Sequence, residues 1–479
     1  MNALTDELDL DLPHLTTAYK SGALTPTVLV ERILELIASR GEDGVWITRV
    51  ERDDLQARAK QLEALTDGER AALPLWGIPF SVKDCIDVAG LPTTSACPAF
   101  SYTPARHSPA VERLQAAGAI LVGKTNMDQF ATGLVGVRSP YGVARNPFDP
   151  AYIPGGSSSG AAVSVSAGLV SFALGTDTGG SGRVPAAFNN VVGLKPTPGL
   201  ISGLGTVPAC RSIETISIFA LTVKDAVAVF DVVRAYDPQD PFSRRPTPAA
   251  HAVPNEFRFG VPARSSLDFF GDREAAVLFG SAVERLQALG GVKVDVDYAP
   301  FAETNDLLFK GPWLAERYGA LRHIVEQKPG SLLPLTREIL LGGRSISGVD
   351  VFAAQQRLNI LKRQIGRLWN EIDVFVVPTT GTIYRVDEVE ADPIALNARL
   401  GTYTNFVNLA DLAAVAVPSG FRSDGLPVGI TLIAPAFADH PVAQLGDRFH
   451  RASGLPLGAR QLRPASFSSR SSTVEEVVT

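Results

Sequence analysis

The chain has 479 residues, 45% of them apolar and 20% charged, with 44 Lys and Arg against 50 Asp and Glu for a formal net charge of −6. That is ample apolar chain for a large core, and the slightly acidic balance argues against a dedicated nucleic-acid binder. Three widely spaced cysteines, Cys85, Cys97 and Cys210, suit neither a disulfide framework nor a Cys-based zinc site, and His14, His107, His251, His323, His440 and His450 form no pair at metal-ligand spacing. Metal-free chemistry is therefore expected.

In chain order, the opening MNALTDELDLDL is acidic where an export signal needs a basic start and an apolar run, which predicts a cytoplasmic protein. Thr25 and Pro26 form a helix start, a capping hydroxyl followed by proline, and Leu29, Ile33 and Ile37 then recur every fourth residue. From Trp76 the period becomes two. Trp76, Ile78, Phe80 and Val82 share one face of a predicted strand, and Ser81 and Lys83 share the other.

The segment AVERLQAAG at Ala110 to Gly118, followed by AILVG, recurs as AVERLQALG at Ala282 to Gly290, followed by VKVDV. This predicts one helix, glycine-cap and strand device used twice. Overlapping the first copy, Gly118 to Thr125 reads GAILVGKT, a literal match to the phosphate-loop pattern. A phosphate loop needs a strand before its first glycine and flexible residues after it. Here a helix precedes Gly118 and the strand itself fills the interval, so its amides cannot curl around a phosphate. A nucleotide hydrolase is the alternative from another class, and ATP turnover abolished by Lys124→Ala would support it; a non-catalytic binding protein is a third.

Ala151 to Thr176 carries no formal charge, but Pro154 and many Gly and Ser residues break it, so no membrane span is expected. Pro154 to Phe188 runs from PGGSSSG into an apolar helix pattern and a strand-like FALG, which no flexible linker would do. GTDTGGSGR, Gly175 to Arg183, then sets a serine after two glycines before a predicted helix, a turn able to offer several backbone N–H groups to an oxyanion. No histidine lies near these motifs, which leaves Lys83 as the base. It must be neutral, and so buried or beside other cations.

Asp237 to Pro254, with five prolines, is the best linker or long-loop candidate. Val374 to Val377, Val415 to Val417 and Val428 to Ile433 are further strand candidates, and strands alternating with helices indicate an α/β protein. The stretch after Pro464, with SFSSRSS, reads as a frayed tail.

Taken together, GIPFSVKD at Gly77 to Asp84, GAILVGKTNMDQF at Gly118 to Phe130, PGGSSSG, GTDTGGSGRVPA, VGLKPT at Val192 to Thr197 and GLPVGI at Gly425 to Ile430 resemble the amidase signature family over most of the chain. The resemblance implies an α/β amidase signature fold, a large mixed twisted sheet with helices on both faces. It implies a serine nucleophile, a second serine on a cis peptide bond and a lysine, matched here by Ser181, Ser157 and Lys83, with Ser157 relaying the proton. It implies an oxyanion hole from the amides of Thr178, Gly179, Gly180 and Ser181, loop supports at Asp177 and Arg183, and no metal or organic cofactor.

CPAFSYTP at Cys97 to Pro104, QFATGLVGVRSPYG at Gln129 to Gly142, FKGPWLAER at Phe309 to Arg317 and GTYTNFVNLADLAAVAVP at Gly401 to Pro418 narrow the likeness to the amidase part of the allophanate hydrolases. That resemblance implies allophanate, N-carboxylated urea, as substrate, with Arg317 on its carboxylate. An Arg ending an AER segment equally suits a surface ion pair. Phe309 stands where the family pattern has a tyrosine that also binds the carboxylate, and a lost hydrogen bond to a charged group weakens binding by about 1.5 to 3 kcal/mol or signals another amide. Alternatives within the superfamily are a different small-amide hydrolase and a glutaminase subunit of a transamidation complex. The expected organisation is one domain over residues 1–464, a tail over 465–479, no C-terminal decarboxylation domain, and a homodimer by family analogy.

Overall fold

The computed structural model describes residues 9–247, 253–309 and 311–459. Eleven strands follow one another as β1 Trp46–Arg49, β2 Pro79–Lys83, β3 Ile120–Thr125, β4 Phe172–Asp177, β5 Val192–Lys195, β6 Thr215–Ala220, β7 Phe257–Pro262, β8 Gly291–Val296, β9 Val374–Pro378, β10 Leu412–Phe421 and β11 Pro427–Pro435. All belong to one sheet, in the order β1-β3-β2-β4-β6-β5-β10-β11-β9-β7-β8. It is mixed: β2 pairs in parallel with β3 and β4, β7 in parallel with β8 and β9, and the strands between are antiparallel.

Both faces are covered. At Gly446 the helix Asp439–Ser453 approaches so closely that an added β-carbon would meet Val415 Cγ1 at 3.0 Å and Leu432 Cδ1 at 3.6 Å. Ala187 of the helix Val184–Phe188 lies against Gly429, whose parity along β11 is opposite to that of Leu432, and so packs on the other face. The helix Ser159–Ser166 is buried along its whole length, as a helix between sheet and overlying chain must be.

The helix begun at Thr25 spans Pro26–Arg40, with the Thr25 hydroxyl accepting from Val28 N–H and Leu29, Ile33 and Ile37 buried. The duplicated device is present twice: Pro109–Ala116 turns at Gly118 (φ +92°) into β3, and Arg273–Ala288 turns at Gly290 (φ +95°) into β8. The phosphate-loop look-alike is therefore a strand, and Lys124 is buried with Nζ 2.7 Å from Pro92 O and 3.4 Å from Asp84 Oδ1. One boundary differs. The strand expected from Trp76 starts at Pro79, because Trp76 N–H and Ile78 N–H close turns onto Leu73 and Leu75 carbonyls before the chain extends. The proline-rich stretch connects the helix Val223–Val233 to β7, its residues 248–252 lie outside the described residues, and so does the tail 465–479.

Candidate active site

Lys83 ends β2, on the parity of Ser81, whose hydroxyl meets Ser164 of the overlying helix at 2.9 Å. That burial puts the ammonium of Lys83 out of reach of water, and desolvation pushes its pKa below the ordinary lysine value against the opposing pull of Glu214, Asp128 and Asp177. The burial that the sequence reading asks of Lys83 is present. Nζ lies 2.7 Å from Ser157 Oγ and 2.8 Å from Thr176 Oγ1.

Ser157 lies in the turn before the helix Ser159–Ser166, and the Gly156–Ser157 peptide bond is cis. Its neighbour Ser158 braces the same region, donating from Oγ to Thr176 O at 3.1 Å. The hydrogen bond of Ser157 Oγ runs to Lys83, and none joins it to Ser181 among the described residues.

Ser181 follows β4 in a buried loop that a second carboxylate organises. Asp177 accepts two bonds of 2.9 Å from the Arg183 guanidinium, one from Gly180 N–H and one from Gly182 N–H, both also 2.9 Å. Burial alone would raise the Asp177 pKa, but Arg183 outweighs it and holds the carboxyl below the usual range. Asp177 and Arg183 are therefore the loop supports that the sequence implies. Asn408 adds a third tie, donating to Asp177 O at 2.6 Å and Ile213 O at 2.8 Å.

This bracing corrects one expectation. Gly180 N–H is committed to Asp177, so it is not free for an oxyanion, while the amides of Thr178, Gly179 and Ser181 have no acceptor among the described residues. Gly180 serves through its conformation instead. Its φ of +135° disfavours any side chain, and a β-carbon there would collide with the Thr404 hydroxyl.

Arg317 sits in the helix Trp313–Gln327 and is 3% exposed, which removes the surface ion-pair reading. Its charge is felt by the Cys210 thiol, by Glu214 and by Arg138. Arg138 in turn lines a cavity of about 510 Å³ with Thr132, Gly133, Asn397, Gly401 and Asn405. Phe309 ends the helix Ala299–Phe309, and its side chain lies outside the described residues.

Thr176 escaped the sequence reading. Thr176 was visible inside GTDTGGSGR, one residue before Asp177, but only the fold shows that its hydroxyl meets Lys83. Among the described residues no group of three His, Cys, Asp or Glu side chains could hold a metal ion.

Comparison with known proteins matches the Amidase family model to residues 29–442. Urea amidolyase of Saccharomyces cerevisiae is 43% identical over 434 residues, covering 90% of this chain but 24% of the relative, so the chain spans about a quarter of that protein's length. A glutamyl-tRNA(Gln) amidotransferase component of Symbiobacterium thermophilum is 35% identical over 477 residues, covering 93% of this chain and 97% of that relative. Among solved structures, Kluyveromyces lactis allophanate hydrolase superposes with a TM-score of 0.86 at 43% identity, covering 91% of this chain and 72% of that one.

Proposed function

The chain belongs to the amidase family, and from that premise we propose that it hydrolyses a small amide through Ser181, Ser157 and Lys83, with allophanate as the substrate. The observation that carries the reading is the contact of 2.7 Å between a buried Lys83 amine and Ser157 Oγ, beside a serine loop with three uncommitted amides.

In this mechanism Ser181 Oγ attacks the amide carbon as its proton passes to Ser157, whose own proton passes to neutral Lys83. The amides of Thr178, Gly179 and Ser181 receive the oxyanion, each such donor being worth roughly 3 kcal/mol of barrier. When the carbon–nitrogen bond breaks, the proton returns through Ser157 to the leaving ammonia. Water then hydrolyses the acyl-enzyme by the same route. The steps ask for no metal or organic cofactor.

The substrate reading rests on Arg317. A guanidinium withdrawn from water is well matched to a planar carboxylate. Hydrolysis of allophanate would yield ammonia and N-carboxycarbamate, which loses carbon dioxide. The likeness to an amidotransferase component, which runs along nearly the whole of that relative, favours a second reading, a glutaminase activity within a complex.

Strands from residues 46 to 435 in one sheet support a single catalytic domain over 1–464. A homodimer remains our reading by family analogy. No helix among the described residues is long and apolar enough to cross a membrane, and three free, buried cysteines support a reducing, cytoplasmic setting.

The test is ammonia release from allophanate, biuret, malonamate, glutamine and neutral amides, with Ser181→Ala as the blank. Turnover of allophanate far above the others, and only by wild type, is expected. Serine-dependent activity on glutamine alone would replace the substrate with the second reading, and activity surviving Ser181→Ala would remove the nucleophile.

A further inference from the structure

The cavity that Arg138 lines is walled by segments that run back to the two serines. On one side a β-carbon on Gly133 would meet Asp128 Oδ2 at 2.8 Å and Arg138 Cδ at 3.2 Å, and Asp128 N–H donates to Ser157 O at 3.1 Å. On the other, Asn405 follows Thr404, whose hydroxyl abuts Gly180, and precedes the helix Phe406–Leu409, whose Asn408 holds the Ser181 loop at Asp177 O. Asn397 ties the walls together: its Oδ1 accepts from Leu134 N–H at 2.8 Å, and Leu134 O accepts from Gly156 N–H, also at 2.8 Å.

Asn405 is the unusual polar group on this cavity. It is 6% exposed, and its Oδ1 is buried with no hydrogen-bond partner among the described residues. Arg138 gives Nη1 to Thr132 O at 2.9 Å and Nη2 to Pro393 O at 2.5 Å; its Nε is unmatched, but that is a donor. Asn305 also has an unmatched oxygen, but its residue is only half-buried, beside the exposed Asp306, with Nδ2 spent on Thr402 O at 2.6 Å. Asn405 instead lies one residue from the contact with Gly180. A buried acceptor without a donor is costly to keep, so one that persists beside a reactive serine marks a place for a ligand's N–H.

We propose that Asn405 is a specificity-determining residue whose carboxamide oxygen accepts the internal N–H of a urea-type substrate, the N–H joining the attacked carbon to the rest of the acyl group. The tetrahedral carbon has four neighbours. Ser181 Oγ is one, the oxyanion takes the loop amides, and the departing nitrogen lies toward Ser157, from which it receives its proton. The fourth, the acyl remainder, is left for the side that Thr404 and Asn405 close. A urea-type acyl group presents N–H there, whereas a carbon-chain amide presents CH2 and leaves the acceptor unmatched. A site that hydrogen-bonds an N–H discriminates against the analogue that lacks it. This inference rests on the amide-hydrolysis reading.

The experiment is kcat/KM for two matched pairs that exchange N–H for CH2, biuret against malonamide and allophanate against malonamate. It compares wild type with Asn405→Leu, Asn405→Ser and Asn405→Asp, folding being checked by thermal unfolding. Intrinsic reactivity cancels when each ratio is compared across variants. Asn405→Leu should lower both ratios of N–H to CH2 substrate by about tenfold or more. Asn405→Asp keeps an acceptor and should hold the ratio of the uncharged pair near that of wild type. Both members of each pair falling together, their ratio in place, would make Asn405 a support of the fold and overturns the proposal, as does unchanged activity on all four. If Asn405→Leu does not fold, Asn405→Ser, which draws the acceptor back, reads the same ratios, and unmoved ratios there overturn it. Turnover of none of the four by wild type would instead overturn the substrate reading, and hydrolysis that persists in Ser181→Ala the underlying mechanism.

Discussion

At Gly180 a single missing β-carbon decides whether the Ser181 loop can form. The residue combines a φ of +135° with close contact to the Thr404 side chain, while its amide is tied to Asp177. Gly180→Ala must therefore either twist the loop or push Thr404 aside, and twisting would misaim the flanking amides of Gly179 and Ser181. Because loss of one oxyanion donor costs about 10² to 10³ in kcat, a fall of that size is expected, with the effect mostly in kcat. Thr404→Ala in the same background relieves the collision but not the backbone strain, so it should restore only part of the rate. Full rescue would mean that the clash alone matters, and an unchanged kcat in Gly180→Ala would remove the loop geometry from catalysis.

Among the elements, the helix Asp439–Ser453 shows how packing against a sheet changes the chemistry of a side chain. His450 is 3% exposed with Nε2 unpartnered among the described residues, and burial lowers its pKa from 6.5 to about 4. Above pH 6.5 both folded and unfolded chains hold a neutral ring. As pH falls toward about 4, the unfolded chain binds a proton that the native state refuses, so native stability declines, by up to about 3 kcal/mol. Denaturant midpoints measured from pH 7 to pH 4 should therefore drop less steeply for His450→Leu than for wild type; identical slopes would sink the assignment. The elements also show where sequence patterns work. Period-four burial in Pro26–Arg40, the glycine-capped repeats and the Ser81/Lys83 alternation were all legible. Strands β5 and β6 were not: β5 is only four residues long with Gly193 and Lys195 among them, and β6 is a short buried run that periodicity alone does not separate from a buried helix segment.

For the molecule as a whole, the site is assembled from segments that are remote in sequence. Lys83, Ser157 and Ser181, the proposed catalytic residues, could be picked out because each lies in a dense local motif, whereas Thr176 becomes a partner of Lys83 only when β2 and β4 lie side by side. Arg317 was legible by resemblance alone, and its burial is a property of the tertiary fold. The segment 209–214 makes that connection. It clasps the helix of Arg317, with Ser212 N–H and Oγ donating to Glu316 at 2.7 and 2.6 Å and Cys210 Sγ lying 3.5 Å from Trp313 O. Loosening the clasp should therefore disturb substrate binding while sparing the chemistry. Glu316→Gln is expected to raise KM for a carboxylated amide by about tenfold at most, the worth of one charge-assisted hydrogen bond partly open to water. Neutral amides, which make no use of Arg317, should keep their kcat/KM. A uniform loss on both substrate types would mean that the clasp supports the fold in general, and an unchanged KM would mean that the helix holds Arg317 in place without it.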